Sequence, residues 1–124
     1  MTVKTLTLAD FESTILASPI VLVDFWAPWC GPCRAFAPVF ERSAQNHPDI
    51  VHAKVDTDAE RELAATVGIR SVPTIMAFRE GVLIYSQPGA MSPAVLDDLI
   101  DKIKGLDMDG VRAKIAERKA AVKA

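Results

Sequence analysis

Cys30 and Cys33 are the two cysteines of the chain, and only Gly31 and Pro32 stand between them. Thiols at that spacing can close a disulfide and reopen it, passing two electrons each time. The chemistry needs a thiolate, because only the thiolate attacks a disulfide sulfur. A helix starting at the motif would supply partial positive charge and unpaired N–H groups to stabilise it. Pro32 has a preset φ and no N–H to lose, which suits a first helical turn. Cys33 then lies one turn inside the helix, within reach of a mixed disulfide on Cys30. Cys30 is therefore expected to attack and Cys33 to resolve.

Two other readings of the cysteines compete. With His47 and His52 the chain spells C-x2-C-x13-H-x4-H, a zinc-finger spacing. Against it, Pro48 stands between the histidines, His52 falls in an apparent strand and the spacer reads as helix. A chain of this length also has enough core to fold without a metal. The second alternative is a pair of inert core thiols, for which Trp29, Gly31 and Pro32 are poor packing neighbours.

Three further positions are ambiguous from pattern alone. Asp24 interrupts the otherwise apolar run Ile20 to Trp26. It is either a buried proton acceptor for Cys33, with its pKa raised by desolvation, or a strand-end aspartate facing solvent. Lys54, inside a second apolar strand, is either the counter-charge of Asp24 or a solvated lysine. Val72-Pro73-Thr74 is either a plain loop before a strand or a cis proline shaping a rigid surface.

The elements that must position these residues follow from periodicity. Leu8, Phe11, Ile15 and Leu16 fall on one face of a first helix. Ile20 to Trp26 reads as a strand buried on both faces, as in parallel sheets covered by helices on either side. A second helix runs from about Cys33 to Asn46 with a kink expected at Pro38. Ile50 to Asp56 is the next strand. Thr57-Asp58-Ala59-Glu60 has a capping-box pattern and should open a third helix, with Leu63 and Val67 inward and Gly68 at its end. Thr74 to Phe78 and Val82 to Tyr85 read as strands joined by a Glu80-Gly81 turn. Ser92-Pro93 starts a helix carrying Val95, Leu96, Leu99, Ile100 and Ile103 inward. Alternating strands and helices followed by a hairpin imply an α/β fold with a mixed sheet.

Composition bounds the function. The 124 residues are 50% hydrophobic and 24% charged, which suits one globular domain rather than a disordered chain. A net charge of −2 gives no case for nucleic-acid binding. Two cysteines exclude a disulfide-stapled scaffold. No apolar run approaches the ~20 residues of a membrane helix, and no secretory signal is visible. The chain is expected in the cytoplasm, as a monomer. Residues 106–124 hold three acids and five bases, a local +2 that leaves −4 on residues 1–105. Met108, Val111, Ile115 and Val122 share a helical face there. The domain reading is thus a body over 1–105 and a C-terminal helical extension over 106–124.

The run Trp26-Ala27-Pro28-Trp29-Cys30-Gly31-Pro32-Cys33-Arg34, preceded by Val23-Asp24-Phe25, strongly resembles the thioredoxin active site. Gly68-Ile69-Arg70-Ser71-Val72-Pro73-Thr74, the Arg79-Glu80-Gly81 turn and Gly89-Ala90 match later landmarks of that family in order, over about residues 3–105. The resemblance implies a thioredoxin fold, a central mixed β-sheet flanked by α-helices, and a protein-disulfide reductase. It favours the functional readings of Asp24 and Lys54 and makes Pro73 cis. It implies that Trp29, Gly31, Pro32, Val72, Pro73, Gly89 and Ala90 form the substrate surface. It also implies a thioredoxin reductase as electron source, so that NADPH and FAD belong to that partner and the chain itself carries no cofactor beyond its disulfide. Pro28, Arg34, Phe36-Ala37-Pro38 and Asp58 to Leu63 are similar to the thioredoxin-2 branch. Members of that branch often carry a zinc module with extra cysteines, which this sequence does not have.

Two other functions are compatible with the pattern. An oxidase or isomerase of the same fold is disfavoured by Gly31-Pro32, since such sites resemble those with a histidine between the cysteines. A rigid binding subunit would draw its support from the extension rather than from the dithiol.

Overall fold

A computed structural model describes residues 3–123; Met1 and Thr2, at the start of the stretch read for a leader, and Ala124, at the end of the extension, lie outside the described residues. The elements are β1 (Val3–Thr5), α1 (Phe11–Ala17), β2 (Ile20–Trp26), α2 (Gly31–Asn46), β3 (Val51–Asp56), α3 (Arg61–Thr66), β4 (Thr74–Arg79), β5 (Val82–Pro88), α4 (Pro93–Lys104) and α5 (Met108–Lys123). One sheet holds all five strands in the order β1-β3-β2-β4-β5. β1, β3 and β2 run parallel, whereas β4 and β5 are antiparallel to their neighbours. This is the mixed sheet expected, with the short edge strand β1 added.

The apolar run of β2 makes it the middle strand, with every residue from Ile20 to Phe25 buried. Its alternation sorts the core into two halves. Ile20 and Leu22 pack with Phe36, Phe40, Leu96, Ile100 and Ile103 of α2 and α4. Val21, Val23 and Phe25 pack with Ile15 and Leu63 of α1 and α3. Asp24 therefore sits in register with Ile20 and Leu22, on the face covered by α2. Each fully buried phenylalanine holds α2 in place by about 3–5 kcal/mol, judged by typical truncation costs. His52 lies in that half with its ring 5.0 Å from Phe40. Its Nε2 lies 2.9 Å from Ser43 Oγ and its Nδ1 3.2 Å from the Ile50 carbonyl. Desolvation holds its pKa below the ordinary histidine range.

Several local expectations are corrected. Leu8 precedes α1 and is exposed, and Leu16 turns outward at 66% exposure. Thr57 and Glu60 form no capping box. Thr57 Oγ1 instead donates to the Trp26 carbonyl, and Glu60 accepts from the Leu8 N–H across the fold. Asp56 takes the turn amides of Asp58 and Ala59, so α3 begins only at Arg61. Val95 is exposed rather than inward, and Val122 is exposed although its spacing puts it on the helical face of Met108. β5 continues past Tyr85 to Pro88, and α2 begins at Gly31 rather than about Cys33. Ser92 caps α4 as expected, its Oγ accepting from the Val95 N–H. The hairpin turn is Glu80-Gly81, both at positive φ, which matches the twist of the flanking strands.

The extension is joined to the body by polar contacts. Arg79, at the end of β4, donates to the carbonyls of Ile103, Lys104 and Leu106 at 2.8, 3.1 and 2.9 Å. Arg112 bridges Glu80 and Asp109 at 2.6 and 2.7 Å. Met108 is buried, and Val111 and Ile115 are half-buried. Replacing Arg79 by Met leaves the three carbonyls without this donor. The variant is expected to lose about 1.5–3 kcal/mol of unfolding free energy, with amide exchange rising first at the α4–α5 junction. Denaturant titration with exchange mass spectrometry measures both.

Candidate functional site

β2 ends at Trp26 and the chain turns through Ala27, Pro28 and Trp29, the Cys30 N–H donating to the Ala27 carbonyl at 3.1 Å. Cys30 has extended backbone and is the N-cap of α2, with Gly31 and Pro32 in the first turn. Its Sγ accepts the Cys33 N–H at 3.2 Å. A sulfur thus occupies the place that a serine or aspartate oxygen fills at most capped helices. Cys30 and Cys33 are joined as a disulfide, their Cα atoms 5.2 Å apart. They are 4% and 3% exposed, so the bond is presented at a narrow opening rather than on a knob.

Two loops complete that opening. The Val72–Pro73 peptide bond is cis, and the Val72 carbonyl lies 3.6 Å from Cys30 Sγ. The Pro73 carbonyl accepts from the Gly89 N–H at 2.8 Å, which draws Gly89 and Ala90 to the same end of the sheet. Gly89 has φ +107°, a conformation only glycine adopts freely, and the space where a Cβ would stand is empty. Trp29 stands beside the disulfide at 68% exposure, fixed by an indole N–H donated to Asp58 at 3.0 Å. Arg34 donates to the Pro28 carbonyl and stiffens the turn.

Under α2, Asp24 is buried, and its Oδ1 has no hydrogen-bond partner among the described residues; the same holds for Trp26 Nε1. Burial pushes the Asp24 carboxyl up to about 7, while the positive charge of Lys54 pulls in the opposite direction. Lys54 is the cross-strand neighbour of Asp24 on β3. Its ammonium stands 5.6 Å from the centre of the Trp26 ring. A carboxyl titrating near neutral pH is suited to proton transfer there.

The histidines of the zinc spacing are elsewhere. His47 Nε2 pairs with Asp97 at 3.2 Å and His52 with Ser43. Among the described residues no group of three or more histidines, cysteines or acids is placed to hold a metal. Sequence reasoning missed Asp58 as the partner of Trp29, because its position inside an apparent capping box gave a local explanation. It also missed that Arg61 and Arg70 converge on the cleft beside Trp29 and Val72.

The family model described as Thioredoxin matches residues 2–103. The chain is 50% identical over 115 residues to a "Putative thioredoxin 2" of Streptomyces coelicolor, covering 93% of this chain and 86% of that one. It is 47% identical over 96 residues to "Thioredoxin 1" of Synechococcus elongatus, covering 76% and 90%. Among solved structures it is similar to a mutant thioredoxin from Halobacterium salinarum, with a TM-score of 0.78, 32% identity and coverage of 84% and 92%. It is also similar to the thioredoxin of Plasmodium falciparum, with a TM-score of 0.74, 36% identity and coverage of 80% and 97%. Agreement of sequence, topology and the disulfide at the start of α2 shows that the chain belongs to the thioredoxin family, whose members are disulfide oxidoreductases.

Proposed function

We propose that the chain is a cytoplasmic, monomeric protein-disulfide reductase with Cys30 as nucleophile. The observation that carries this is the helix cap: Cys30 Sγ sits on the N-terminus of α2 with the Cys33 amide aimed at it. That arrangement favours the thiolate when the pair is reduced. In the forward reaction Cys30 S⁻ attacks one sulfur of a substrate disulfide. The substrate S–S bond breaks, the leaving thiolate takes a proton, and a mixed disulfide remains on Cys30. The Cys33 thiol passes its proton to the Asp24 carboxylate and attacks Cys30 Sγ. The substrate leaves as a dithiol and the chain keeps the disulfide, so two electrons have moved.

Lys54 tunes Asp24 in this reading and touches no substrate. Trp29, Gly31, Pro32, Val72, Pro73, Gly89 and Ala90 form the docking rim, with the Val72 backbone available to an extended segment. A thioredoxin reductase returns the chain to the dithiol, its FAD and NADPH supplying the electrons. The body over 1–105 performs the exchange, and the extension over 106–124 is a separate addition to it. Among the described residues no helix is long and apolar enough to cross a membrane.

The direction of electron flow is tested by the dithiol potential. A value near the thioredoxin figure of about −270 mV, which is taken from the family rather than from this geometry, supports the reductase; one between about −180 and −120 mV overturns it in favour of an oxidant or isomerase. Cys33→Ser should accumulate mixed disulfides on Cys30, readable by non-reducing gels with mass spectrometry, and Cys30→Ser should accumulate none.

Asp24→Asn separates the two thiol steps. Initial attack is expected to hold within about twofold while resolution slows roughly 10²-fold or more, as loss of a general base does. Stability supplies a second readout. A carboxyl raised from 3.8 to about 7 binds its proton more tightly in the folded chain than in the unfolded one. Its burial therefore costs nothing below pH 3.8, and the cost grows as pH rises through about 7, towards roughly 4 kcal/mol at about pH 9. Asp24→Asn should be more stable than the parent by a margin that widens across that window. A margin independent of pH would place the carboxyl in solvent.

A further inference from the structure

A cleft of about 320 Å³ opens beside the disulfide, lined in part by Trp29, Arg61, Ala64, Ala65, Arg70 and Val72. Trp29 and Val72 belong to the rim already described, so the cleft continues the reacting surface. Arg61 opens α3, and Arg70 follows the turn at Gly68 that leads the chain back to Val72. Their guanidinium groups have no part in the exchange steps. Both residues are exposed, and neither side chain makes an ion pair or hydrogen bond among the described residues.

The neighbouring carboxylates keep their charge but take their hydrogen bonds from neutral N–H groups and form no ion pair with either arginine among the described residues. Asp58 accepts from the Trp29 indole, Asp56 from two turn amides and Glu60 from the Leu8 N–H. Glu62 lies about 100° round α3 from Arg61, off the Arg61–Ala64–Ala65 stripe that faces the cleft. A chain of net charge −2 thus sets two unpaired cations over an apolar floor of Ala64, Ala65 and Val72, at the entrance to its reactive sulfur.

We infer that this cleft selects protein substrates that carry carboxylates on the segment flanking their disulfide, with Arg61 and Arg70 as the specificity-determining residues. The inference rests on the exchange reading of Cys30 and Cys33. A guanidinium fork meets a carboxylate with two parallel hydrogen bonds, and the apolar floor and Trp29 remove water from the pair as the substrate docks. The net −2 of the chain opposes an acidic partner only weakly, because charges beyond about 10 Å are screened at ordinary ionic strength. The arginines act within that distance, on encounter and on the docked segment.

The test uses the full chain in its reduced form and three synthetic disulfide-bridged peptides of one design. Their two residues flanking each cysteine are Glu, Gln or Lys. Second-order reduction rates are followed by chromatography of the released dithiol peptide, with uncharged hydroxyethyl disulfide as a fourth substrate. At about 20 mM salt the Glu peptide should react about 5–20-fold faster than the Gln peptide, and the Lys peptide slower than both. At about 0.5 M salt the Glu:Gln ratio should shrink roughly threefold or more. In R61A/R70A the ratio should fall to about one, and in R61E/R70E the order should invert in favour of the Lys peptide. Because the readout is a ratio, a general loss of activity or of folded protein leaves it unmoved. A Glu:Gln ratio near one in the parent chain overturns the inference, as does a ratio that both double variants leave intact. Failure of the parent to reduce hydroxyethyl disulfide would instead overturn the exchange reading itself.

Discussion

The contact on which the site depends is a helix cap made by sulfur. Cys30 Sγ takes the Cys33 amide at the first turn of α2, where most helices use a serine, threonine, asparagine or aspartate oxygen. The helix terminus contributes about 0.3–1 kcal/mol toward a negative charge, and up to ~2 where the site is partly buried. That field favours the thiolate over the thiol once the pair is reduced, and the thiolate is the form that attacks. The requirement this places on the rest of the chain is positional. α2 must hold its N-terminus at the end of β2, and Phe36 and Phe40 hold it there by packing on the sheet. Rigidity at the sulfur is therefore set by apolar contacts about two and three turns further along the helix.

Asp24 is the second constraint, and it works against stability. It occupies a position in β2 where Ile20 and Leu22, on the same face, are apolar core. The carboxyl instead sits near its neutral-pH midpoint, raised by burial and moderated by Lys54 across the strand pair. A buried acid in a central strand, in register with a lysine that also lies near an indole, is poor core design, the kind of local conflict that concentrates at functional sites.

How much of this was legible depended on the range of the interactions. β2 and α4 were legible end to end, because seven almost wholly apolar residues and a Ser-Pro cap carry local signals that nothing distant contradicts. The cysteines announced their chemistry through spacing and neighbours. β1 was not legible, since three residues at a sheet edge have no periodicity of their own. The Thr57–Glu60 pattern failed for a definite reason: Glu60 is drawn away by the Leu8 amide 52 residues earlier, and Asp56 satisfies the turn instead. Leu16 satisfied the helical period yet faces outward, against the hairpin at Gly81, because a helix as short as α1 buries only one narrow stripe. Arg61 and Arg70 are nine positions apart with nothing in common locally. Only the reversal after α3 makes them neighbours of one cleft.

The extension is attached at the end of the sheet away from the disulfide. Its anchor, Arg79, ends the strand that begins at Thr74, next to the cis proline. Five steps of strand place it roughly 17 Å from the rim, at the opposite pole of the sheet. There the guanidinium satisfies carbonyls at the end of α4, which helices normally leave to water. The same side chain therefore closes the body and fixes the first residues of α5. Glu80 continues the connection to Arg112, using a hairpin residue whose positive φ already commits it to the turn. Beyond Ile115 the helix turns from the body, and Arg118 and Lys119 are exposed. The junction of α4 and α5 is thereby held at the end of the sheet opposite Cys30, whose thiolate responds to the local field of α2.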